Sequence, residues 1–348
     1  MNNNNVHHPK AVIFGCEGTQ LSNTEKTFFR ATNPVGFILF ARNCETHEQV
    51  RDLVSSLRNS IGRSDAPILI DQEGGKVQRL GPPIWRKAPS MRSLVDSVEA
   101  HYPNCVAEAV RINAQLIAHD LKQLGITINC LPVLDIPQSG ANDIIGDRAF
   151  GGNAAKTAQL GKACCEGLLQ GGVLPVIKHI PGHGRSIYDT HEALPTVNVS
   201  RNILEATDFA PFRSLSDTPW AMTAHVIYSA LDRTKPATLS SIVLRDLIRK
   251  DFGFLGVLLS DDISMKALSG KLGERARKAI EAGCDIALHC NGIMHEMLEV
   301  AEHTSAITED TAKRIMRGEV LRQDSDQRTH FNTKDALAHL KELTGGRV

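Results

Sequence analysis

The chain has 348 residues, and its 39 lysines and arginines balance its 39 aspartates and glutamates. A neutral chain with no basic block argues against nucleic acid or an anionic membrane as the main partner, and no run of roughly 18 apolar residues offers a membrane span. Eight scattered cysteines without a Cys-x-x-Cys pair, several in apolar runs such as Cys130 and Cys284, point to free thiols in a reducing compartment. With an Asn-rich start that lacks an apolar signal core, this reads as a soluble, unexported, cytoplasmic protein.

The first expected strand covers residues 10–15. A helix follows over 22–32, with Ser22 or Asn23 as cap, and then a strand over 35–40. Thr46 and Gln49 have the spacing of a capping box. The helix they open puts Val50, Leu53, Val54, Leu57 and Ile61 on one face. A third strand, 67–70, runs into Asp71, Gln72, Glu73, Gly74 and Gly75. A Pro-rich loop leads to a long helix over about 104–124, stopped by Gly125. Residues 126–134 read as a fourth strand ending at Asp135. The loop 137–152 carries Gly146, Asp147, Arg148, Ala149 and Phe150, and the next helix ends at about Gln170. Residues 173–177 form a short apolar strand. Then come a helix over 201–216, a strand over 221–228 containing His225, and a helix over 240–250. A strand over 256–260 ends at Asp261 and Asp262, a helix over 274–282 is stopped by Gly283, and a last strand covers 285–288. Residues 291–348 read as terminal helices with a polar stretch at 323–328.

Strands alternating with helical periods argue for a parallel sheet. Eight such units favour an α/β fold of one domain, a closed (β/α)8 barrel with terminal helices, over a doubly wound sheet. No Gly-x-Gly-x-x-Gly follows the first strand, which weakens a dinucleotide fold. We expect a flexible segment over 1–9 and a single catalytic domain over 10–348.

In a barrel the C-terminal strand ends face one pocket, and the polar residues collect there: Asp71, Asp135, Lys178 with His179, His225, and Asp261 with Asp262. One acidic residue after a strand is usually a helix cap, but repetition on five strands is harder to explain that way. The densest stretch is 178–191. Pro181, Gly182 and Gly184 exclude a regular helix, so Lys178 and His179 are expected to leave the strand on a bent loop that ends in Asp189, Thr190 and His191. Residues two apart in an extended segment point the same way, so Asp189 can orient the His191 imidazole and raise its pKa. That makes a general acid of a histidine.

The string Lys178, His179, Ile180, Pro181, Gly182, His183, Gly184 with Asp189 and His191 resembles the signature of family 3 glycoside hydrolases. More narrowly, it is similar to the bacterial β-N-acetylglucosaminidases that recycle peptidoglycan, with Ile180 where Phe is usual. The resemblance continues through Asp71–Arg79 (Lys76 standing in for Arg), Leu131–Asp135, Gly146–Phe150, Thr223–Val226 and Ser260–Asp262, roughly over residues 10–300. It implies a retaining exo-β-N-acetylglucosaminidase that releases terminal β-linked N-acetylglucosamine from muropeptide fragments in the cytosol. Asp261 would be the nucleophile and His191 the acid/base, held by Asp189. Asp71, Arg79, Arg148, Lys178 and His179 would bind the sugar. His183 reads as structural, Asp262 as a cap of the following segment, and His225 as noncatalytic. We expect no cofactor, no metal and a monomer that meets neither nucleic acid nor membrane.

Three other readings compete. A phosphorylase on the same fold would use phosphate as acceptor, which a histidine donor tolerates better than a carboxylate does. A metal-dependent barrel hydrolase would need His179 and His183 to converge across Pro181 and Gly182. A sugar-binding protein without turnover would be expected to lack Asp261 or His191, and both are present.

Overall fold

The computed structural model describes residues 8–140, 142–186, 190, 193–327 and 331–347. Eight parallel strands close into a barrel: β1 (Lys10–Phe14), β2 (Pro34–Leu39), β3 (Ile68–Ile70), β4 (Ile128–Asn129), β5 (Leu174–Ile180), β6 (Trp220–Thr223), β7 (Val257–Asp262) and β8 (Ile286–His289). Each strand pairs with its neighbours in the sequence, and β1 pairs with β8 through Val12–Ala287 and Ile13–Leu288. The α/β barrel expected from the alternation is the architecture found.

Side-chain direction alternates along a strand, and the core divides accordingly. Ala11, Ile13, Leu69, Leu174, Val176, Trp220, Met222, Val257, Leu259, Ile286 and Leu288 fill the barrel interior. Val12, Phe14, Ile68, Ile70, Ile177, Ala221, Leu258 and Ala287 face outward into the layer beneath the helices. Continued past the apolar run, the same alternation carries Leu69 to Asp71 and Glu73, Val176 to Lys178, and Leu259 to Asp261. The polar residues at the C-terminal mouth therefore inherit their inward direction from the core beneath them.

Several elements differ from the expectations. The expected strand over 126–134 pairs regularly only at Ile128–Asn129. Pro132 has no N–H to give and Leu131 N–H turns back to Asn129 O, so beyond Asn129 the ladder is irregular: Leu131 O and Pro132 O accept from Val176 and Lys178 N–H, and Leu134 N–H donates to Lys178 O. The expected strand over 221–228 splits: β6 ends at Thr223, and Ile227–Tyr228 pairs instead with Thr196–Val197 outside the barrel. The helix over 201–216 divides into Arg201–Ala206 and Ala210–Ser214. The long helix expected over about 104–124 begins with a 3₁₀ turn, Pro103–Cys105, before the helix Val106–Gln123. Helix Met91–Glu99, capped by Ser90, lies in what reads as loop. Ser22 and Glu25 form a full capping box. At Thr46 only half forms, because the Gln49 carboxamide accepts from Glu45 N–H rather than from Thr46. Pro9 O accepts from Ile307 N–H, so the expected N-terminal segment is tied down at its end; residues 1–7 lie outside the described set. All eight cysteines are free thiols, and no helix among the described residues is long and apolar enough to cross a membrane.

Candidate active site

A cavity of about 320 Å³ opens at the C-terminal mouth of the barrel, at the small end of the roughly 300–1,000 Å³ range of ligand pockets. Its wall includes Phe40, Asp71, Glu73, Arg79, Arg148, Lys178, His179, His183, Thr190, Met222, Asp261 and Asp262. A site of this size fits one pyranose ring.

One wall is a chain of ion pairs. Arg79 Nη2 lies 3.2 Å from Asp71 Oδ2, and Lys178 Nζ lies 2.8 Å from Asp71 Oδ1 and 2.6 Å from Glu73 Oε1. Arg148 meets Glu73 with both prongs, Nε and Nη2 each at 2.8 Å. Burial works against the charges on Asp71, Glu73, Lys178 and Arg148, and the pairing outweighs it. The Asp71 carboxyl is held well below the usual carboxylate range by Lys178 and Arg79, and Glu73 is lowered by Lys178 and Arg148. Lys178, only 2% exposed along its side chain, is held above the usual lysine range by Asp71 and Glu73, and Arg148 is raised by Glu73. Asp71, Glu73, Lys178 and Arg148 therefore stay charged at neutral pH. The Arg79 guanidinium also stacks on the Phe40 ring, 5.1 Å from its centroid.

Lys178 and His179 do not leave β5 on a loop. The strand runs on to Ile180, with a register shift against β6 between Lys178 and Ile180 and cis peptide bonds at Lys178–His179 and Ile180–Pro181. Asp135, fully buried, accepts from His179 Nδ1 at 2.7 Å and from His183 N–H at 2.6 Å. With Nδ1 spent on the carboxylate, Nε2 is the ring nitrogen of His179 left for a ligand. Burial raises the Asp135 carboxyl, but His179 and the His183 N–H pull it below the usual range.

The glycines of the Pro-Gly-His-Gly turn are needed for clearance and conformation. A Cβ on Gly184 would stand 2.0 Å from Ile136 O, and Gly182 has φ +137°. Tyr228 Oη donates to Gly182 O at 2.5 Å, Arg185 pairs with buried Asp208 at 2.7 Å, and Asn142 N–H reaches Ser186 O at 2.8 Å. These contacts hold the turn in place as far as Ser186. Asp189 and His191 lie outside the described residues.

Asp261 is the inward residue at the end of β7. Burial pushes its carboxyl up. The neighbouring His179, then His225, the Asp262 N–H at 2.8 Å and Lys178 more than offset that, so the group is an anion at neutral pH. Asp262 accepts from Ser264 N–H and Ser264 Oγ at 3.0 and 2.7 Å, as expected of a cap on the following segment, and also lines the cavity. His225 is buried behind this strand end. Its Nε2 meets Asp262 O at 3.0 Å, its Nδ1 meets Thr238 Oγ1 at 2.8 Å, and it does not reach the cavity. His183 does line the cavity; its Nδ1 is buried without a partner, and burial together with His179 lowers its pKa to about 4.

Asp71, Arg79, Arg148, Lys178, His179 and Asp261, singled out in the sequence, thus share one cavity. Glu73 belongs with them and was missed, although the alternation Leu69, Asp71, Glu73 carries the signal. The sequence marks Asp135 as a strand-end residue, but its grip on His179 needed the fold. Among the described residues no three His, Cys, Asp or Glu side chains are placed to hold a metal ion. Chemically, the site presents an ionised carboxylate to a cavity whose other wall supplies paired donors and acceptors for a polyol.

Residues 11–318 match the model of the glycosyl hydrolase family 3 N-terminal domain. A β-hexosaminidase from Alkalilimnicola ehrlichii is 38% identical over 288 residues, 80% of each chain. NagZ from Neisseria gonorrhoeae, solved in complex with N-trifluoroacetyl-D-glucosamine, is 32% identical with a TM-score of 0.85, over 97% of this chain and 98% of that one. A β-N-acetylhexosaminidase from Beutenbergia cavernae aligns at 27% identity with a TM-score of 0.72, over 95% and 96%. The chain belongs to glycosyl hydrolase family 3 and is a glycoside hydrolase of the β-N-acetylhexosaminidase type.

Proposed function

We propose that the protein is a retaining exo-β-N-acetylglucosaminidase that removes terminal N-acetylglucosamine from muropeptide fragments, as a cytoplasmic monomer in peptidoglycan recycling. Asp261 Oδ attacks the anomeric carbon while the glycosidic bond breaks, giving a glycosyl ester. His191, oriented by Asp189, gives its proton to the departing oxygen. It then takes a proton from water as that water attacks the ester and frees Asp261. Asp71, Arg79, Arg148, Lys178 and His179 hold the hydroxyls and acetamide by charge-assisted hydrogen bonds.

The observation that carries this reading is the ionised Asp261 facing the Asp71–Lys178–Glu73–Arg148 wall across a cavity of one sugar's size. Support for the N-acetyl sugar comes from the name of the β-hexosaminidase relative and from the N-acylated glucosamine in the NagZ complex. The test compares nitrophenyl N-acetyl-β-glucosaminide with the plain β-glucoside, and equal rates would sink the sugar assignment. Run in phosphate buffer, the same assay should release free N-acetylglucosamine; its 1-phosphate would make the enzyme a phosphorylase. Activity should also survive chelation with EDTA, and a loss restored by zinc would favour a metal mechanism.

A further inference from the structure

Glu73 has no part in the reaction just described, yet it is the most heavily engaged carboxylate of the cavity wall. Both oxygens are taken: Oε2 by Arg148 Nε at 2.8 Å, Oε1 by Arg148 Nη2 at 2.8 Å and by Lys178 Nζ at 2.6 Å. Its side chain is 2% exposed.

Consider the wall without it. Arg79 and Lys178 would then keep Asp71 as a paired carboxylate, with Asp261 and Asp262 elsewhere on the lining, while the Arg148 fork would lose its carboxylate partner. A forked guanidinium beside an ammonium, buried and undercompensated, is what proteins use to capture phosphate, sulfate or carboxylate. With Glu73 in place, the Arg148 fork is already filled by a carboxylate, and Lys178 is shared between two. What remains for a ligand is a set of oriented N–H groups and carboxylate lone pairs with little net local charge. That matches hydroxyls and amides and disfavours an anion.

We propose that Glu73 is a specificity-determining positioning residue. It fixes Arg148 and Lys178 and cancels their charge, so that the subsite accepts a neutral sugar and refuses oxyanions and sugars esterified with them. This rests on the reading of the cavity as a sugar subsite.

The test measures binding, so that loss of turnover does not obscure it. N-acetylglucosamine and inorganic phosphate are titrated calorimetrically, at constant ionic strength, into the full chain as wild type, Glu73→Gln and Glu73→Asp. In the wild type the sugar binds and displaces any phosphate. In Glu73→Gln the preference for sugar over phosphate falls by at least ~10-fold, because the like-charge penalty on the anion is lifted. Glu73→Asp keeps the charge on a shorter stem, so both affinities weaken while the preference stays near the wild-type value. A purely structural role would lower the affinity for both ligands in Glu73→Gln and leave their ratio alone, which overturns the proposal. An equal shift of the ratio in both variants overturns it as well. Should Glu73→Gln fail to show a cooperative melt, the wild type and Glu73→Asp decide: phosphate binding within tenfold of the sugar in either refutes the charge cancellation. If N-acetylglucosamine binds none of the proteins, the sugar reading of the cavity fails. The role of Glu73 then stands or falls on whether phosphate binds Glu73→Gln and not the wild type.

Discussion

Asp135 holds His179 by ring and backbone at once: Oδ2 takes Nδ1 at 2.7 Å, while Oδ1 lies 3.2 Å from the His179 N–H and 2.6 Å from that of His183. One buried carboxylate thus sets the position of two histidines that line the cavity. Asp135→Asn keeps the shape but gives up charge-assisted bonds, worth about 1.5–3 kcal/mol, or on the order of 10–100-fold. We expect that loss in kcat/KM, mainly through KM if His179 serves to hold the sugar. A change confined to melting temperature would show that the Asp135–His179 pair is only structural.

His183 is buried as the neutral imidazole, with its pKa lowered to about 4 by burial and by His179. In the unfolded chain it titrates near 6.5. Between these values the unfolded state binds the extra proton, so His183 contributes full stability above about pH 6.5 and loses it as pH falls toward 4. The whole swing is about 3 kcal/mol at most, an order-of-magnitude figure. His183→Gln should flatten the stability profile between pH 7 and pH 4.5 in urea titrations. Parallel profiles for the two proteins would refute the assignment. Asp71 and Glu73, with lowered folded-state values, add acid lability in the same direction, but below about pH 4.

What could be read in the sequence follows the range of the forces concerned. Local rules narrowed the first cap to Ser22 or Asn23, of which Ser22 is the one, and placed the Gly283 stop and the eight apolar strands, because each depends on neighbours within a few residues. Strand alternation was also legible, and carried one step further it would have added Glu73 to the site. Helix Met91–Glu99 has a local signal, with Ser90 as cap and Met91, Leu94, Val95 and Val98 as the buried face, but Pro82, Pro83 and Pro89 just before it are loop residues that mask its start. Partners distant in the chain were not legible. His225 lies behind Asp262 because Thr238 and the Asp262 carbonyl engage both its nitrogens, and Asp135 reaches His179 across 44 residues.

At the opposite end of the barrel, Asp285 ties β8 to the helix Glu309–Gln327. Its Oδ2 meets Arg249 at 2.5 Å and Leu258 N–H at 2.8 Å, and its Oδ1 meets Arg314 at 2.7 Å and Thr311 Oγ1 at 2.8 Å. Asp285→Ala strands two partly buried guanidiniums and should cost about 3–5 kcal/mol. Because this is the N-terminal face, kcat of the folded fraction should not change. Urea unfolding showing a loss below ~1 kcal/mol, or a normal midpoint with reduced kcat, would contradict this account.

The two proposed catalytic groups are separable by leaving-group ability. Asp261→Ala removes the atom that bonds to carbon, so activated and natural substrates should both fail by several orders of magnitude. His191→Ala removes proton transfer alone, typically worth about 10²–10⁴-fold. A nitrophenol needs little protonation, so glycosyl-enzyme formation from its glycoside should suffer less than from a disaccharide. Hydrolysis of that ester needs the same histidine as base, so it becomes limiting and a burst of nitrophenol precedes the steady state. Asp189→Asn should resemble a milder His191→Ala, since the imidazole remains and loses only its charged partner. A fluorinated N-acetylglucosaminyl trap should label Asp261, located by peptide mass spectrometry. Label on Asp262 or Asp71, or equal damage to activated and natural substrates in His191→Ala, would overturn the roles given to these residues.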